Sequence, residues 1–223
     1  DSDARALINS APTATEPENV PIEPVTFAIR RLEPSDALEV SRGAYRSHGY
    51  TFFDDFIYYP EKIRELNKKE QMISAVAVTD RNEFMGHGAL VFSELGGERI
   101  AEVNFVFVNR QCRRQNCLVR LVDFLEQEAR KRNLAGMFGW AVTVHVYSQK
   151  MGLQIGRPLA IMLASTPMTM EFKGIAGHLN QRISVVLVFR PLQPPAGKKL
   201  HVPARHREMI RLLYASIKAE HSL

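Results

Sequence analysis

The sequence predicts an α/β domain with a mixed, mostly antiparallel central sheet flanked by helices. Three observations carry that expectation. Apolar runs at 72–79, 84–92 and 99–108 follow one another across short polar connections, which is the pattern of an antiparallel meander. The last of them passes through a short turn into a stretch of helical periodicity. A β-branched run, QRISVVLVFR at 181–190, then adds a strand well beyond that helix.

The 223 residues are 45% hydrophobic and 24% charged, enough for one full core with some chain left over. Residues 1–24 mix Ala, Pro, Thr, Glu and Asn without apolar periodicity and read as a disordered arm or linker. The domain proper is expected over 25–190, and 191–223 reads as a Pro-rich linker followed by a basic amphipathic helix. Within the domain, VTFAIRRL from Val25 alternates as a strand, and Pro34-Ser35-Asp36 opens a helix through about Ser47. An aromatic stretch from His48 to Pro60 reads as core and rim packing or as a wall of a substrate cleft. After the meander, Leu118, Leu121, Val122, Leu125 and Ala129 form the apolar face of a helix whose other face carries Arg120, Asp123, Glu126, Gln127 and Arg130. Leu134 to Val144 reads as a buried strand, Tyr147 to Leu153 as a short helix, and Leu159 to Ala164 as another strand; Thr166 to Asn180 is irregular. In the final helix, Arg205 to His221, the residues Met209, Ile210, Leu213 and Ile217 share an apolar face suited to docking.

Composition narrows the function classes. No stretch of eighteen apolar residues occurs, and the first thirty residues carry Asp1, Asp3, Glu16, Glu18 and Glu23 instead of a basic region and an apolar run. A soluble, cytoplasmic protein with no membrane partner is expected, and the absence of an initiator Met suggests a piece of a longer chain. Cys112 and Cys117 have neither further Cys nor a nearby His pair, which argues against a disulfide framework or a metal site. Lys and Arg exceed Asp and Glu by 29 to 24, and Arg110, Arg113, Arg114, Arg120, Arg130, Lys131 and Arg132 lie in one short region. No aromatic strand pair interleaves with them, so a polyanionic small molecule suits this charge better than nucleic acid does.

The junction Val108-Asn109-Arg110-Gln111-Cys112-Arg113-Arg114-Gln115-Asn116-Cys117-Leu118 is the segment with most chemistry. A helix entered directly from a strand offers unpaired main-chain N–H groups and the positive end of its dipole, a ready phosphate site. Asn116 can take the left-handed backbone such a turn needs.

The run from Val106 to Leu125 resembles the acetyl-CoA-binding motif of the GNAT N-acetyltransferase superfamily, an Arg-x-x-Gly-x-Gly/Ala turn between an apolar strand and a helix. Arg113 falls at the motif's Arg, Asn116 at its first Gly, Leu118 at its second small residue and Leu121 at its helix Leu. The element order from Val25 to Ala164 matches the superfamily's. The stretches YRSHGYTF, YYPEKI, AVTVH-Y-SQK and FKGI are similar to those of GNAT-like modules embedded in longer multidomain bacterial proteins. The resemblance implies an acetyl-CoA or other acyl-CoA substrate, no metal, and acyl transfer to an amine of a small molecule or protein. It places the pantetheine arm along Phe105, Val106, Phe107 and Val108, and the diphosphate at Arg113, Arg114, Gln115, Asn116, Cys117 and Leu118, with Ser148 nearby. Glu102 is the implied base, with His87 second. Aligning His145 with the superfamily's Asn puts Gly152 where its acidic Tyr stands, which leaves Tyr147, His145 or Ser148 to protonate the leaving thiolate. The alternative reading is a non-catalytic GNAT-like module that senses acyl-CoA or binds a protein partner.

Overall fold

In this computed structural model the described residues are 24–95, 98–109, 112–167, 182–194 and 199–217. Residues 1–23 of the expected arm, 168–180 of the Thr166 to Asn180 stretch expected to be irregular, and 218–221 of the last predicted helix lie outside them, while Thr166 and Pro167 end a strand.

Seven strands form one sheet: β1 (Phe27–Arg31), β2 (Met72–Thr79), β3 (Phe84–Leu95), β4 (Glu98–Val108), β5 (Gly136–Val142), β6 (Arg157–Pro167) and β7 (Arg182–Pro191). Their order is β1-β2-β3-β4-β5-β7-β6, with β4 and β5 parallel and every other pair antiparallel. Five helices accompany them among the described residues: α1 (Ala37–His48), α2 (Pro60–Lys68), α3 (Cys117–Lys131), α4 (Val146–Ile155) and α5 (Arg207–Ser216). The expected α/β class, the meander and the strand-turn-helix junction are all present. The meander's second turn is tighter than the sequence suggested, because β3 runs on to Leu95 and β4 begins at Glu98.

Strand β2 explains why the core has two halves. It is buried almost throughout, and its alternate residues feed opposite layers. Ile73, Ala75 and Ala77 join Leu121, Val122, Leu125 and Ala129 of α3 on one face. Met72, Val76 and Val78 join Ala37, Val40 and Ala44 of α1 and Ile63 of α2 on the other. On that second face α1 approaches very closely at Gly43, where an added Cβ would lie 2.6 Å from the Phe107 ring and 2.9 Å from that of Phe84. Arg30 grips Asp36 with two guanidinium bonds, at 2.6 and 3.0 Å, and so ties β1 to the start of α1.

Two expectations are refined. Glu128 of α3 is buried although nothing in the periodicity marks it, and Arg31 and Lys131 neutralise it there. Helix α5 packs along β6, with Ser216 Oγ 3.5 Å from the Pro158 carbonyl. Its predicted apolar face is only partly used: Ile210, Leu213 and Ile217 are half-buried, and Met209 is exposed.

Candidate functional site

Parallel strands β4 and β5 pair over only three positions, Ile100 with Gly136, Ala101 with Met137 and Glu102 with Phe138. Beyond Glu102 both strands continue, to Val108 and to Val142, without pairing further, and a gap opens between them. A strand bonded on one side only leaves the N–H and C=O groups of its other side for a ligand or water. Glu102 therefore stands at the vertex of the gap. The expected ligand strand, Phe105 to Val108, forms one wall. Phe105, Phe107 and Val108 bury their side chains in the core, so the main chain is what this wall offers.

A β-bulge shapes the wall. Ala101 and Val103 face the α3 layer, and strict alternation would send Phe105 and Phe107 there too. Both face the α1 layer instead. The register between β3 and β4 slips between His87 and Ala89, and Phe105 is left-handed with φ 52°. Its N–H donates to Asn104 Oδ1 at 2.7 Å and its carbonyl accepts from His87 Nδ1 at 2.8 Å.

At the far end of β4 the chain turns into α3. Arg114 and Asn116 are left-handed, with φ 64° and 57°, and Asn116 is the residue just before the helix. The predicted geometry at Asn116 is thus present. Among the described residues, no acceptor meets the main-chain N–H of Arg114, Asn116, Cys117 or Leu118. Leu118, which stands where the motif has a small residue, is partly buried against the α3-side core. Gln115 is engaged elsewhere, its Oε1 accepting from Val25 N–H at 3.0 Å.

The basic cluster divides. Arg120 bonds the Phe27 carbonyl at 3.1 Å and lies over that ring, Arg130 pairs with Glu126, Lys131 with Glu128 and Arg132 with Glu70. These four hold the fold. Arg110 lies outside the described residues, which leaves Arg113 and Arg114 as the cations of the turn itself.

Helix α4 follows the free end of β5. His145 caps it, its Nδ1 accepting from Ser148 N–H at 3.3 Å, while Ser148 Oγ donates to the Val142 carbonyl at 2.8 Å. Tyr147 is 61% exposed, its ring 6.0 Å from that of His145. Gly152 faces inward, where an added Cβ would be 3.2 Å from Val188 and 3.4 Å from Ala141. A methyl there requires the Val188 side chain to give by a few tenths of an ångström.

Electrostatics single out two more groups. Burial, with Asp54 adding like charge, pushes the Glu102 carboxyl up to about 7. Asp54 itself is raised, by burial and then by Asp55. The loop that carries Asp54 lies over the wall, with the Phe52 and Phe56 rings 5.6 and 5.0 Å from Phe105. His48, at the end of α1, is held down to about 3 by burial and then by the nearby His145 and Arg113. Sequence reasoning named neither Asp54 nor His48 as a site residue, although both lie in the His48 to Pro60 stretch read as core and rim packing or as a wall of a substrate cleft. Both belong to segments distant in sequence from the turn, and only their position in the YRSHGYTF and following aromatic stretch could have pointed to them. Burial raises both thiols, Cys117 to about 12, and so disfavours the nucleophilic thiolate. Among the described residues no three His, Cys, Asp or Glu come together as metal ligands, and no helix is long and apolar enough to cross a membrane.

No family model and no curated protein sequence matches the chain. Solved structures do. A point mutant of the spermidine N-acetyltransferase of Vibrio cholerae superposes with a TM-score of 0.57 at 10% identity, covering 73% of this chain and 92% of that one. The ribosomal-protein-S5-alanine acetyltransferase of Vibrio fischeri gives 0.57 at 13%, covering 78% and 97%. A protein of Desulfovibrio desulfuricans assigned to the GNAT family gives 0.58 at 14%, covering 75% and 100%. The chain has the GNAT fold. In this chain the candidate residues Glu102, Phe105 to Val108 and Arg113 to Leu118 lie along β4 and the turn into α3, and His145 and Ser148 lie at the start of α4. Tyr147 stands at the margin.

Proposed function

We propose that this chain is a CoA-dependent N-acyltransferase, most simply an N-acetyltransferase, that moves an acyl group from acyl-CoA to an amine of a small molecule or protein. The observation that carries the reading is the gap that opens at Glu102 between β4 and β5 and ends at the amides before α3. A pantetheine arm carries two amides, and a half-paired strand can bond them as an added strand would. The diphosphate would sit on the N–H groups of Arg114, Asn116, Cys117 and Leu118, with Arg113 and Arg114 supplying charge. The contact of the partly buried Leu118 side chain with the core supports this placement.

The chemistry is direct. Glu102 takes the proton from the acceptor ammonium, directly or through water, and the free amine attacks the thioester carbonyl carbon. A C–N bond forms, the C–S bond breaks, and the CoA thiolate leaves with a proton. A carboxyl with its pKa near 7 suits a base at neutral pH. Because His145 Nδ1 accepts from Ser148 N–H, the neutral imidazole carries its proton on Nε2, which is buried, so the candidates to protonate the thiolate are this His145 N–H, once acyl-CoA reaches it, and the exposed Tyr147 hydroxyl. Asp54 supplies negative charge beside Glu102 that favours a cationic acceptor.

Gly152 favours a second reading, a GNAT-fold module that binds acyl-CoA without turnover, since by the resemblance it stands where the superfamily has its acidic Tyr. Calorimetry with acetyl-CoA together with thiol release over a panel of primary amines separates the two. Binding with turnover supports the transferase, and binding without turnover on any amine supports the sensor. No heat at millimolar acetyl-CoA would remove both.

A further inference from the structure

We propose that His87 is a positioning residue: by donating its Nδ1 hydrogen to the Phe105 carbonyl it holds the β4 bulge, and so sets the main-chain groups that meet acyl-CoA. The proposal rests on the acyl-CoA reading above and adds to it the residue that shapes the binding wall.

At the bulge two β4 residues, Phe105 and Val106, stand opposite Gly88 where regular pairing allows one. The extra residue leaves one N–H and one C=O outside the ladder, and burial makes each costly to leave unmet. Both are met by side chains. Asn104 takes the N–H at 2.7 Å from the neighbouring position, and His87 takes the C=O at 2.8 Å from β3. The Asn104 bond is local and would exist in other conformations of the same strand. The His87 bond joins two strands and is satisfied only when Phe105 is turned as it is.

The environment of His87 suits no other role. The ring is fully buried, its centroid 5.4 Å from that of Phe107. A carbonyl partner requires the hydrogen on Nδ1, so Nε2 is bare, and among the described residues nothing donates to it. Burial holds the group near 4, neutral throughout the physiological range. A buried, neutral imidazole whose one bond goes to backbone cannot reach substrate as a base. Its register partner is Phe107, inside the ligand wall, and the parity change it stabilises directs Phe105 and Phe107 to one layer and Val106 and Val108 to the other. Losing the bulge would exchange those faces and rotate every main-chain group on the gap side beyond Asn104.

Two variants separate positioning from packing. His87→Phe keeps a ring against Phe107 and loses the donor. His87→Asn keeps a donor near the Nδ1 position and loses the ring. With folding checked by circular dichroism, His87→Phe should weaken acetyl-CoA binding in calorimetry by about tenfold and raise KM for acetyl-CoA far more than it lowers kcat. His87→Asn should stay within about threefold of wild type in affinity although it melts earlier. The reverse order, with Phe benign and Asn damaging to binding, would show that only packing matters and overturn the proposal. Wild-type protein that binds no acetyl-CoA would instead sink the functional reading, and a crystal structure of His87→Phe then decides the bulge alone. Phe105 leaving the left-handed region supports the role of His87, and an unchanged bulge refutes it.

Discussion

Replacing Glu102 by Gln tests the base and the electrostatics of the vertex together, because the same carboxyl makes two independent predictions. The first concerns rate. With its pKa near 7, Glu102 is about one-tenth ionised at pH 6 and about nine-tenths ionised at pH 8. In the wild type kcat/KM should therefore rise about tenfold between those values and level off above them. Glu102→Gln should lower the plateau by about 10²- to 10⁴-fold and abolish that rise. Burial is the larger cause of the shift and Asp54 the smaller. Asp54→Asn removes the like charge and should move the inflection to lower pH without erasing it. The second prediction concerns stability. A folded-state pKa above the unfolded value near 4.5 means that the stabilising contribution is complete below pH 4.5 and is lost as pH rises through about 7. Ionising Glu102 then costs the wild type about 3 kcal/mol at pH 9, from the difference between 4.5 and 7. Glu102→Gln escapes that cost. Urea unfolding at pH 4 and pH 9 should show the variant gaining about 2–3 kcal/mol on wild type between the two, somewhat reduced because the carboxyl keeps some exposure. A variant with wild-type rates and an unmoved pH inflection would refute the base assignment. A stability difference that does not grow with pH would refute the buried, raised carboxyl on which it stands.

Three further outcomes are expected. His48, held near 3 by burial, His145 and Arg113, contributes stability that is complete above pH 6.5 and lost as pH falls toward 3. In His48→Phe the slope of unfolding free energy against pH should therefore be shallower by up to about 1.4 kcal/mol per pH unit near pH 5, read by urea titration at closely spaced pH values. Gly156→Ala should destabilise by at least about 2 kcal/mol, because the added methyl meets Phe189 backbone at 2.3 and 2.4 Å. Gly43→Ala should cost less, since it meets rings that can shift and gains helix propensity; the two melting temperatures compare them. Both cysteines should react slowly with iodoacetamide at pH 8 in native protein and rapidly in denaturant, followed by mass spectrometry.

What was legible in the sequence follows the reach of the interactions involved. Strand β2 lies where its apolar run does, Met72–Thr79, and α3 begins one residue before the predicted Leu118, because local periodicity and the strand-to-helix switch are local signals. The left-handed turn was legible at Asn116, where residue type limits backbone geometry, and illegible at Arg114. The bulge left no trace. From Phe105 to Val108 every residue is apolar, so the slip in alternation that exchanges faces is invisible without the opposite strand. The basic cluster misled in part, since Arg120 and Arg132 find partners far along the chain, while Arg130 and Lys131 pair with carboxylates of α3 itself. The insertion of β7 between β5 and β6 and the fork at Glu102 are products of long-range pairing. So is the meeting of Glu102 with Asp54 and of His48 with His145, which no spacing in the chain announces.

Electron density for coenzyme A in crystals of this protein bears most directly on the whole account. The diphosphate should lie within hydrogen-bond distance of the N–H groups of Asn116, Cys117 and Leu118, with the pantetheine bonded to β4 backbone between Phe105 and Val108 and the thiol close to Glu102. A ligand bound anywhere else, or a gap bridged by protein groups with coenzyme A in excess, would contradict it.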